Sequence, residues 1–233
     1  MSGVLYGVGL GPGDPDLITR KAARLIEAAP VVAYPRLAGA ASFARSIAAD
    51  LIPAGASEIV IDVPMTVERA PAQAAYDEGA AEIAAALDAG QDVVCLCEGD
   101  PLFYGSFMYL KARLEQAYHV VVVPGVTSLT ACAAQSGLAL AARNERLTIL
   151  PGPLPEAELE ARIAGAESVA VMKVGRHLAK IRDVIARLGF LDAAVYVERA
   201  SLAEERVLPL ADAPDPAPYF SMVLLTKGAD PWL

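Results

Sequence analysis

The chain has 233 residues, enough for one large hydrophobic core or two modest ones. Its composition, 55% hydrophobic with only 6% aromatic residues, is typical of an α/β protein whose helices cover a Val-rich sheet. The formal net charge of −9 argues against a nucleic-acid partner, which requires a basic surface. No apolar run approaches the roughly 18 residues that a membrane span needs. We expect two α/β domains, residues 1–137 and residues 138–233, the second with a mixed sheet.

The amino terminus has no basic segment before an apolar one, so we expect no secretion signal and a cytoplasmic location. Three cysteines, Cys95, Cys97 and Cys132, are expected to be reduced and packed. With two distant histidines they offer too few ligands for a metal site, and we expect no metal.

The first predicted strand, residues 4–9, runs into Gly-Val-Gly-Leu-Gly-Pro-Gly-Asp at residues 7–14. The dinucleotide fingerprint G-x-G-x-x-G fails, because Pro12 or Asp14 stands where its third glycine belongs. Alternating glycines with a stiff proline permit close backbone approach by a ligand, or form an ordinary turn. An apolar stripe from Ile18 to Ala29 then predicts a helix.

A second predicted strand, residues 31–34, ends at Pro35 and leaves Arg36 in a loop. A helix over residues 42–51, a strand over 59–63 and a helix over 71–89 follow. Residues 64–70 are interpreted as an exposed connection that could act as a flap. This alternation of strands and helices predicts a parallel sheet.

Residues 97–105, Cys-Glu-Gly-Asp-Pro-Leu-Phe-Tyr-Gly, lie between a predicted buried strand and a helix predicted over residues 107–114. Loops at the carboxyl ends of strands form the ligand crevice of an open α/β sheet. Gly99 lets a ligand approach the backbone, and Asp100 offers an anionic acceptor to a donor-rich ligand. The alternative is a tight turn whose Asp100 caps a helix.

A strand predicted over residues 119–123 is followed by Pro-Gly-Val-Thr-Ser at residues 124–128. Thr127 or Ser128 is placed to cap an Ala-rich helix. The free amides at such a helix start suit a ligand, although an ordinary cap explains the pattern as well.

The second half begins with predicted strands over residues 147–150 and 168–172, alternating with helices over 156–163 and 178–188. Three further strands follow without intervening helices, over residues 195–198, 206–210 and 220–226. Their arrangement predicts an antiparallel or mixed part of the sheet.

Five motifs occur in the order typical of one enzyme family. They are Gly-Val-Gly-Leu-Gly-Pro-Gly-Asp-Pro at residues 7–15, Glu-Gly-Asp-Pro at 98–101, Val-Pro-Gly-Val-Thr-Ser at 123–128, Val-Met-Lys at 171–173, and Glu-Arg-Ala at 198–200 followed by Glu-Arg-Val at 205–207. Over nearly its whole length the chain resembles the tetrapyrrole methylases, S-adenosylmethionine-dependent enzymes with two α/β domains and a ligand cleft between them. Residues 34–35, 97–110 and 219–222 most resemble the branch that methylates carbon 20.

The resemblance implies that S-adenosylmethionine binds in the cleft and that the protein is a homodimer. The cofactor contacts it implies are Pro12, Glu98, Gly99, Asp100, Phe103, Tyr104, Thr127, Ser128, Met172, Ala200, Ser221 and Met222. The family often has glycine at the positions of Glu98 and Ala200, and these two departures leave the contacts there open.

The chemistry implied by the resemblance is methyl transfer to a meso carbon of a reduced tetrapyrrole. The nucleophile belongs to the substrate, so no Ser-His-Asp set is needed. Glu98, Tyr104 or water would accept the proton that the methylated carbon loses. Five cations near predicted strand-to-helix loops are candidates for holding substrate carboxylates, with solvated surface charge as the alternative: Arg36, Lys111, Lys173, Arg176 and Arg199.

Three other functions stay open. One is a sister methylase that acts at another ring position or on the cobalt-containing substrate, and the mass and regiochemistry of its product would distinguish it. A nucleotide-dependent oxidoreductase would bind nicotinamide cofactors. A non-catalytic interaction domain would not bind S-adenosylhomocysteine.

Overall fold

The computed structural model describes residues 2–64 and 68–228. The chain divides into two compact units, Met1–Thr127 and Ser128–Leu233, and each contains a five-stranded sheet. The predicted fold class of two α/β domains is confirmed. Part of the predicted flap, residues 65–67, lies outside the described residues.

The first unit is a parallel sheet with helices on both faces. Its strands follow the order β3-β2-β4-β1-β5. In chain order its elements are β1 (Leu5–Gly9), α1 (Arg20–Glu27), β2 (Val31–Leu37), α2 (Phe43–Ile47), β3 (Ser57–Val63), α3 (Arg69–Asp88), β4 (Val93–Cys97), α4 (Phe107–Leu114) and β5 (Val120–Val123).

The central strand β4 is buried along its whole length. Val93, Cys95 and Cys97 pack in the core that contains α3 and α4, whereas Val94 and Leu96 pack in the core that contains α1 and α2. Successive residues of a strand point to opposite faces of its sheet. Burial on both faces therefore explains why β4 is a continuous apolar run rather than an alternating one.

The sequence predicted that strand β2 ends at Pro35, but the strand continues to Leu37. It pairs with β4 only over its first three residues but with β3 as far as Leu37. Proline is tolerated where a strand lacks a partner on one side, because its missing N–H breaks no ladder bond there. Arg36 consequently lies in a strand, opposite Asp62 of β3, and not in a loop.

The second unit has a mixed sheet of order β6-β7-β10-β8-β9. Strands β6 and β7 pair in parallel, and β10 pairs antiparallel with both β7 and β8. This confirms the mixed sheet that the run of strands predicted. The elements are α5 (Ser128–Ser136), β6 (Leu147–Pro151), α6 (Glu156–Ala164), β7 (Ser168–Met172), α7 (Leu178–Arg187), β8 (Ala194–Glu198), β9 (Arg206–Pro209) and β10 (Ser221–Thr226).

The two units divide between Thr127 and Ser128, before the predicted boundary at residue 137. Helix α5, assigned from sequence to the first domain, packs against β8 and β10 of the second unit. Among the described residues, no helix is both long and apolar enough to cross a membrane.

Helix α2 is tied to the first sheet by a charged cluster. Arg45 donates to both carboxylate oxygens of Glu58, each at 2.8 Å, and the Tyr34 hydroxyl donates to the same carboxylate. Arg45 and then Tyr34 lower the pKa of Glu58 from 4.5 to about 2. The pKa of Glu58 is lower in the folded state than in the unfolded state. Its stabilisation is therefore fully present above the unfolded-state pKa and is lost as the pH falls through the folded-state pKa.

We therefore expect Glu58→Gln to lower the free energy of unfolding by about 1 kcal/mol near neutral pH, since the cluster is partly exposed. The deficit should shrink as the pH falls through the interval between the two pKa values. Urea unfolding at several pH values measures it, with Glu158→Gln, which loses an exposed i,i+4 pair to Arg162, as the matched control. A deficit that does not change with pH would contradict the role given to this carboxylate.

Candidate functional site

Three loops meet at one edge of the first sheet. Strands β4, β1 and β5 are neighbours and parallel, so their carboxyl ends lie side by side. The loops that follow are residues 98–106, 10–14 and 124–127. Gly11 and Gly99 exchange two backbone hydrogen bonds, of 3.2 Å from the Gly11 N–H and 2.8 Å from the Gly99 N–H. The loops after β1 and β4 are thus joined.

The Asp100 side chain joins the loops after β4 and β5. Its Oδ1 accepts from the N–H groups of Leu102 at 2.9 Å and Phe103 at 3.1 Å. Its Oδ2 accepts from the Gly125 N–H at 3.1 Å. These bonds fit the prediction of a tight turn capped by Asp100, although the capped segment is a turn and not a helix. They occupy three of the roughly four acceptor positions of a carboxylate.

Glycines let these loops pack backbone to backbone. A Cβ added to Gly9 would lie 2.5 Å from the Gly125 nitrogen, and one added to Gly125 would lie 2.2 Å from the Gly99 oxygen. Gly99 itself differs, because its φ is +63° and an added Cβ would meet only the Val126 oxygen, at 3.9 Å. The open space beside the backbone, which the sequence predicted for a ligand, therefore lies at Gly99.

An aromatic pair follows Asp100 in the same loop. The rings of Phe103 and Tyr104 meet edge to face with centroids 5.3 Å apart. Tyr104 has a φ of +56°, a left-handed conformation that costs an L-residue roughly 1–2 kcal/mol. Its side chain nevertheless stays 43% exposed. The loop thus holds a strained residue whose ring can contact a ligand.

Glu98 lies at the start of this loop and is exposed. Protein atoms around its carboxyl group displace water, and this desolvation raises the pKa of Glu98. A hydrogen bond from the Ala44 N–H, in the first turn of α2, acts in the opposite direction. A carboxylate with a raised pKa is a stronger base than an ordinary one.

In the second unit, the predicted cofactor residues also collect at one edge of the sheet. Because β10 runs antiparallel to β7 and β8, its start lies beside their ends. Met222 is opposite both Met172 and Val197, and Ser221 is opposite Glu198. Ala200 follows β8 and is buried. The structure therefore brings together Met172, Ala200, Ser221 and Met222.

The backbone at this edge is strained. Lys173, Arg199 and Ser201 have φ values of +56°, +51° and +70°. Left-handed conformations of residues other than glycine cluster at functional sites. Lys173 and Arg199 are exposed, as is Arg176 in the short turn after β7, so three predicted substrate cations lie near the ends of β7 and β8.

The other two predicted cations lie elsewhere. Arg36 is within β2 and makes two bonds to Asp62, of 2.5 and 3.1 Å. Lys111 is within α4 and pairs with Glu115 on the next turn. Arg36 does not lie in the loop that the sequence predicted, because β2 continues past Pro35, whereas Lys111 lies in the helix that the sequence predicted over residues 107–114.

The sequence missed a buried carboxylate network at the end of β8. Glu198 is only 4% exposed, and it accepts from the Tyr196 hydroxyl at 2.6 Å and from Arg206 at 3.3 Å. Burial and this carboxylate raise the pKa of Tyr196, which therefore stays a neutral donor. The i,i+2 spacing of Tyr196 and Glu198 was a usable signal, since it puts both on one face.

The remaining predicted residues lie at loop or helix starts. Pro12 is half-buried in the loop after β1, Thr127 ends the first unit, and Ser128 is the first residue of α5. Within residues 2–64 and 68–228, no group of three or more His, Cys, Asp or Glu side chains is arranged to hold a metal ion.

We expect Asp100→Asn to separate the loops after β4 and β5. The amide oxygen can still accept from Leu102 and Phe103, but its NH₂ group would face the Gly125 N–H and leave that donor unpaired. Stability should fall by about 1–3 kcal/mol, and hydrogen exchange at Gly125 should accelerate. Asp50→Asn, at an exposed position, is the control. Unchanged protection of the Gly125 amide would refute the bridge.

Residues 4–214 match the family described as Tetrapyrrole (Corrin/Porphyrin) Methylases. The chain is 45% identical to the cobalamin biosynthesis protein CobIJ of Mycobacterium tuberculosis, over 97% of this chain and 46% of that protein. It thus spans about half the length of that relative. It is 43% identical to precorrin-2 C(20)-methyltransferase of a Sinorhizobium species, over 99% of both chains. It is 32% identical to cobalt-precorrin-2 C(20)-methyltransferase of Salmonella typhimurium, over 97% of this chain and 98% of that one.

Solved structures agree with this relationship. The cobalt precorrin-4 methyltransferase CbiF is 25% identical and superposes with a TM-score of 0.74, covering 96% of this chain and 94% of that one. The uroporphyrin-III C-methyl transferase of Thermus thermophilus, complexed with S-adenyl homocysteine, is 29% identical with a TM-score of 0.68, covering 97% and 92%. Sequence and fold together show that the chain belongs to the tetrapyrrole methylase family.

Proposed function

We propose that the protein transfers a methyl group from S-adenosylmethionine to carbon 20 of precorrin-2, giving precorrin-3A and S-adenosylhomocysteine, in cobalamin biosynthesis. The observation that carries the proposal is the similarity to the Sinorhizobium enzyme along the full length of both chains. The lower identity to the Salmonella enzyme, named for the cobalt-containing substrate, supports the metal-free tetrapyrrole. Membership of the tetrapyrrole methylase family favours a methyltransferase, acting on either substrate, over a nucleotide-dependent oxidoreductase.

The first-unit loops fit an adenosyl sulfonium ligand. Gly99 leaves open space beside the backbone, and the exposed Tyr104 ring can attract a cation through its quadrupole. Asp100 shapes this surface by holding Phe103 and Gly125 in place. The same loop therefore combines backbone access, aromatic faces and negative charge. That Pro12, Thr127 and Ser128 also contact the ligand, together with the residues of the second unit, stays a prediction.

When bound, S-adenosylmethionine supplies an electrophilic methyl group. The new carbon–carbon bond forms as the sulfur–methyl bond breaks, and the nucleophile is the substrate carbon. The protein's main task is to hold the two carbons close and aligned, an effect that can reach roughly 7–11 kcal/mol. The methylated carbon then loses a proton. Of the candidates, the raised pKa of Glu98 favours this carboxylate over Tyr104 as the acceptor.

The substrate carries several carboxylates, which require cations beside the site. Lys173, Arg176 and Arg199 are exposed near the ends of β7 and β8, and we propose that they bind these groups. Arg36 and Lys111 pair with Asp62 and Glu115, and we do not assign substrate carboxylates to them. The homodimer and the cytoplasmic location implied earlier remain predictions, and the first is checked by sedimentation.

The decisive experiment for this function is to incubate the protein with precorrin-2 and ¹³C-methyl-labelled S-adenosylmethionine. We expect a product heavier by one labelled methyl group, with the label assigned to carbon 20 by NMR. Cobalt-precorrin-2 in a parallel reaction should react more slowly. Label at another ring carbon would make the protein a sister methylase, and no transfer to either tetrapyrrole would refute the proposal.

Glu98→Gln should lower kcat by about 100-fold or more, since general bases typically contribute that much. In the wild type, kcat should rise with pH through the raised pKa of Glu98, and this limb should disappear in the variant. Tyr104→Phe tests the competing residue, and Glu158→Gln is the control for loss of a carboxylate. A normal kcat in Glu98→Gln with a low kcat in Tyr104→Phe would assign the proton to Tyr104 instead.

A further inference from the structure

The loop after β8 is unusually constrained. Arg199 and Ser201 are both left-handed, which residues other than glycine adopt only when their surroundings enforce it. The Arg199 N–H donates to the Phe220 oxygen at 2.8 Å, and the Leu202 N–H donates to the Arg199 oxygen at 2.9 Å. The Ser201 N–H donates to the Glu205 carboxylate at 2.6 Å. Between these two left-handed residues lies Ala200, the predicted cofactor contact.

The Glu198 carboxylate links the two ends of the loop of residues 199–205. It is almost fully buried, and its two oxygens accept from different partners, Tyr196 Oη on one side and Arg206 Nη1 on the other. Residues 198 and 206 also face each other in the β8–β9 ladder. The loop of residues 199–205 thus leaves and re-enters the sheet at two side chains that form one ion pair.

Strand β10 lies beside this network. Ser221 is opposite Glu198 in the sheet, and its hydroxyl donates to the Pro218 oxygen at 2.6 Å. One buried carboxylate is therefore connected to both ends of the Ala200 loop and to the strand that carries Ser221 and Met222. Neither the resemblance nor the proposed chemistry gave Glu198 a role.

We infer that Glu198 is a positioning residue for the methyl donor: through Tyr196 and Arg206 it holds the strained loop of residues 199–205 in the conformation that binds the cofactor. The inference rests on the proposed function, because it assumes that Ala200 and Ser221 contact S-adenosylmethionine. A buried charge that lost its partners would be costly, so the intact network is the favoured arrangement.

The test measures S-adenosylhomocysteine binding by calorimetry in Glu198→Gln, Tyr196→Phe and the double variant. In Glu198→Gln we expect the Kd to rise about tenfold, equivalent to about 1.4 kcal/mol. Tyr196→Phe, which retains the ring and guards against misfolding, should raise it about threefold, and the double variant should lose no more than Glu198→Gln, because residues acting through one bond are not additive. The KM for S-adenosylmethionine should rise while kcat at saturation stays unchanged.

Hydrogen exchange of the unliganded protein supplies the structural readout. The amides of Arg199, Ser201 and Leu202 should exchange faster in Glu198→Gln and in Tyr196→Phe than in the wild type. Glu160→Gln is the control, because it removes an exposed ion pair to Arg187 in the same unit, and these amides should exchange in it at the wild-type rate. A Kd within twofold of the wild type would overturn the positioning role while leaving the proposed function intact. Failure of the wild type to bind S-adenosylhomocysteine would overturn the proposed function itself. Unchanged exchange in Glu198→Gln would refute the link between carboxylate and loop.

Discussion

The architecture of the first-unit site depends on one carboxylate that is shared between two loops. Asp100 closes its own turn with one oxygen and reaches the Gly125 amide with the other. Glycine at positions 9 and 125 is needed because any side chain there would collide with neighbouring backbone. These glycines therefore serve loop packing, and Gly99 is the position that keeps room for a ligand. The loops are therefore closely packed at Gly9 and Gly125 and remain open to a ligand at Gly99.

The second unit reaches a similar result by different means. Its edge contains no comparable group of close-packed glycines in the loop after β8; instead Arg199 and Ser201 take up left-handed conformations. A carboxylate again supplies the restraint, with Glu198 buried beneath the loop and Glu205 bonded to the Ser201 amide. In both units an acidic side chain satisfies donors that a strained loop presents, and residues assigned to the cofactor by resemblance sit on that loop.

Local patterns predicted the elements better than they predicted the partners. Patterns of apolar residues predicted α4 and β7 at the residues where the structure has them, because that signal is contained within each segment. The continuation of β2 past Pro35 depended on which neighbour pairs there, and no local pattern records that. The same limit applies to Asp100, whose partner Gly125 is 25 residues away, and to the register that sets Glu198 opposite Arg206. The sequence shows which residues are charged but not which partner each one meets: Arg36 was predicted in a loop and instead pairs with Asp62 of the neighbouring strand.

The central claim is that the loops joined by Asp100 bind the methyl donor. An ¹⁵N-labelled protein titrated with S-adenosylhomocysteine tests this most directly, because each loop carries amides that can be followed singly. We predict saturable shifts at Gly11, Gly99 and Phe103, with smaller shifts at Gly125, at one common Kd. Saturable binding that leaves these four amides unmoved, and shifts residues away from the ends of β1, β4 and β5, would contradict the account.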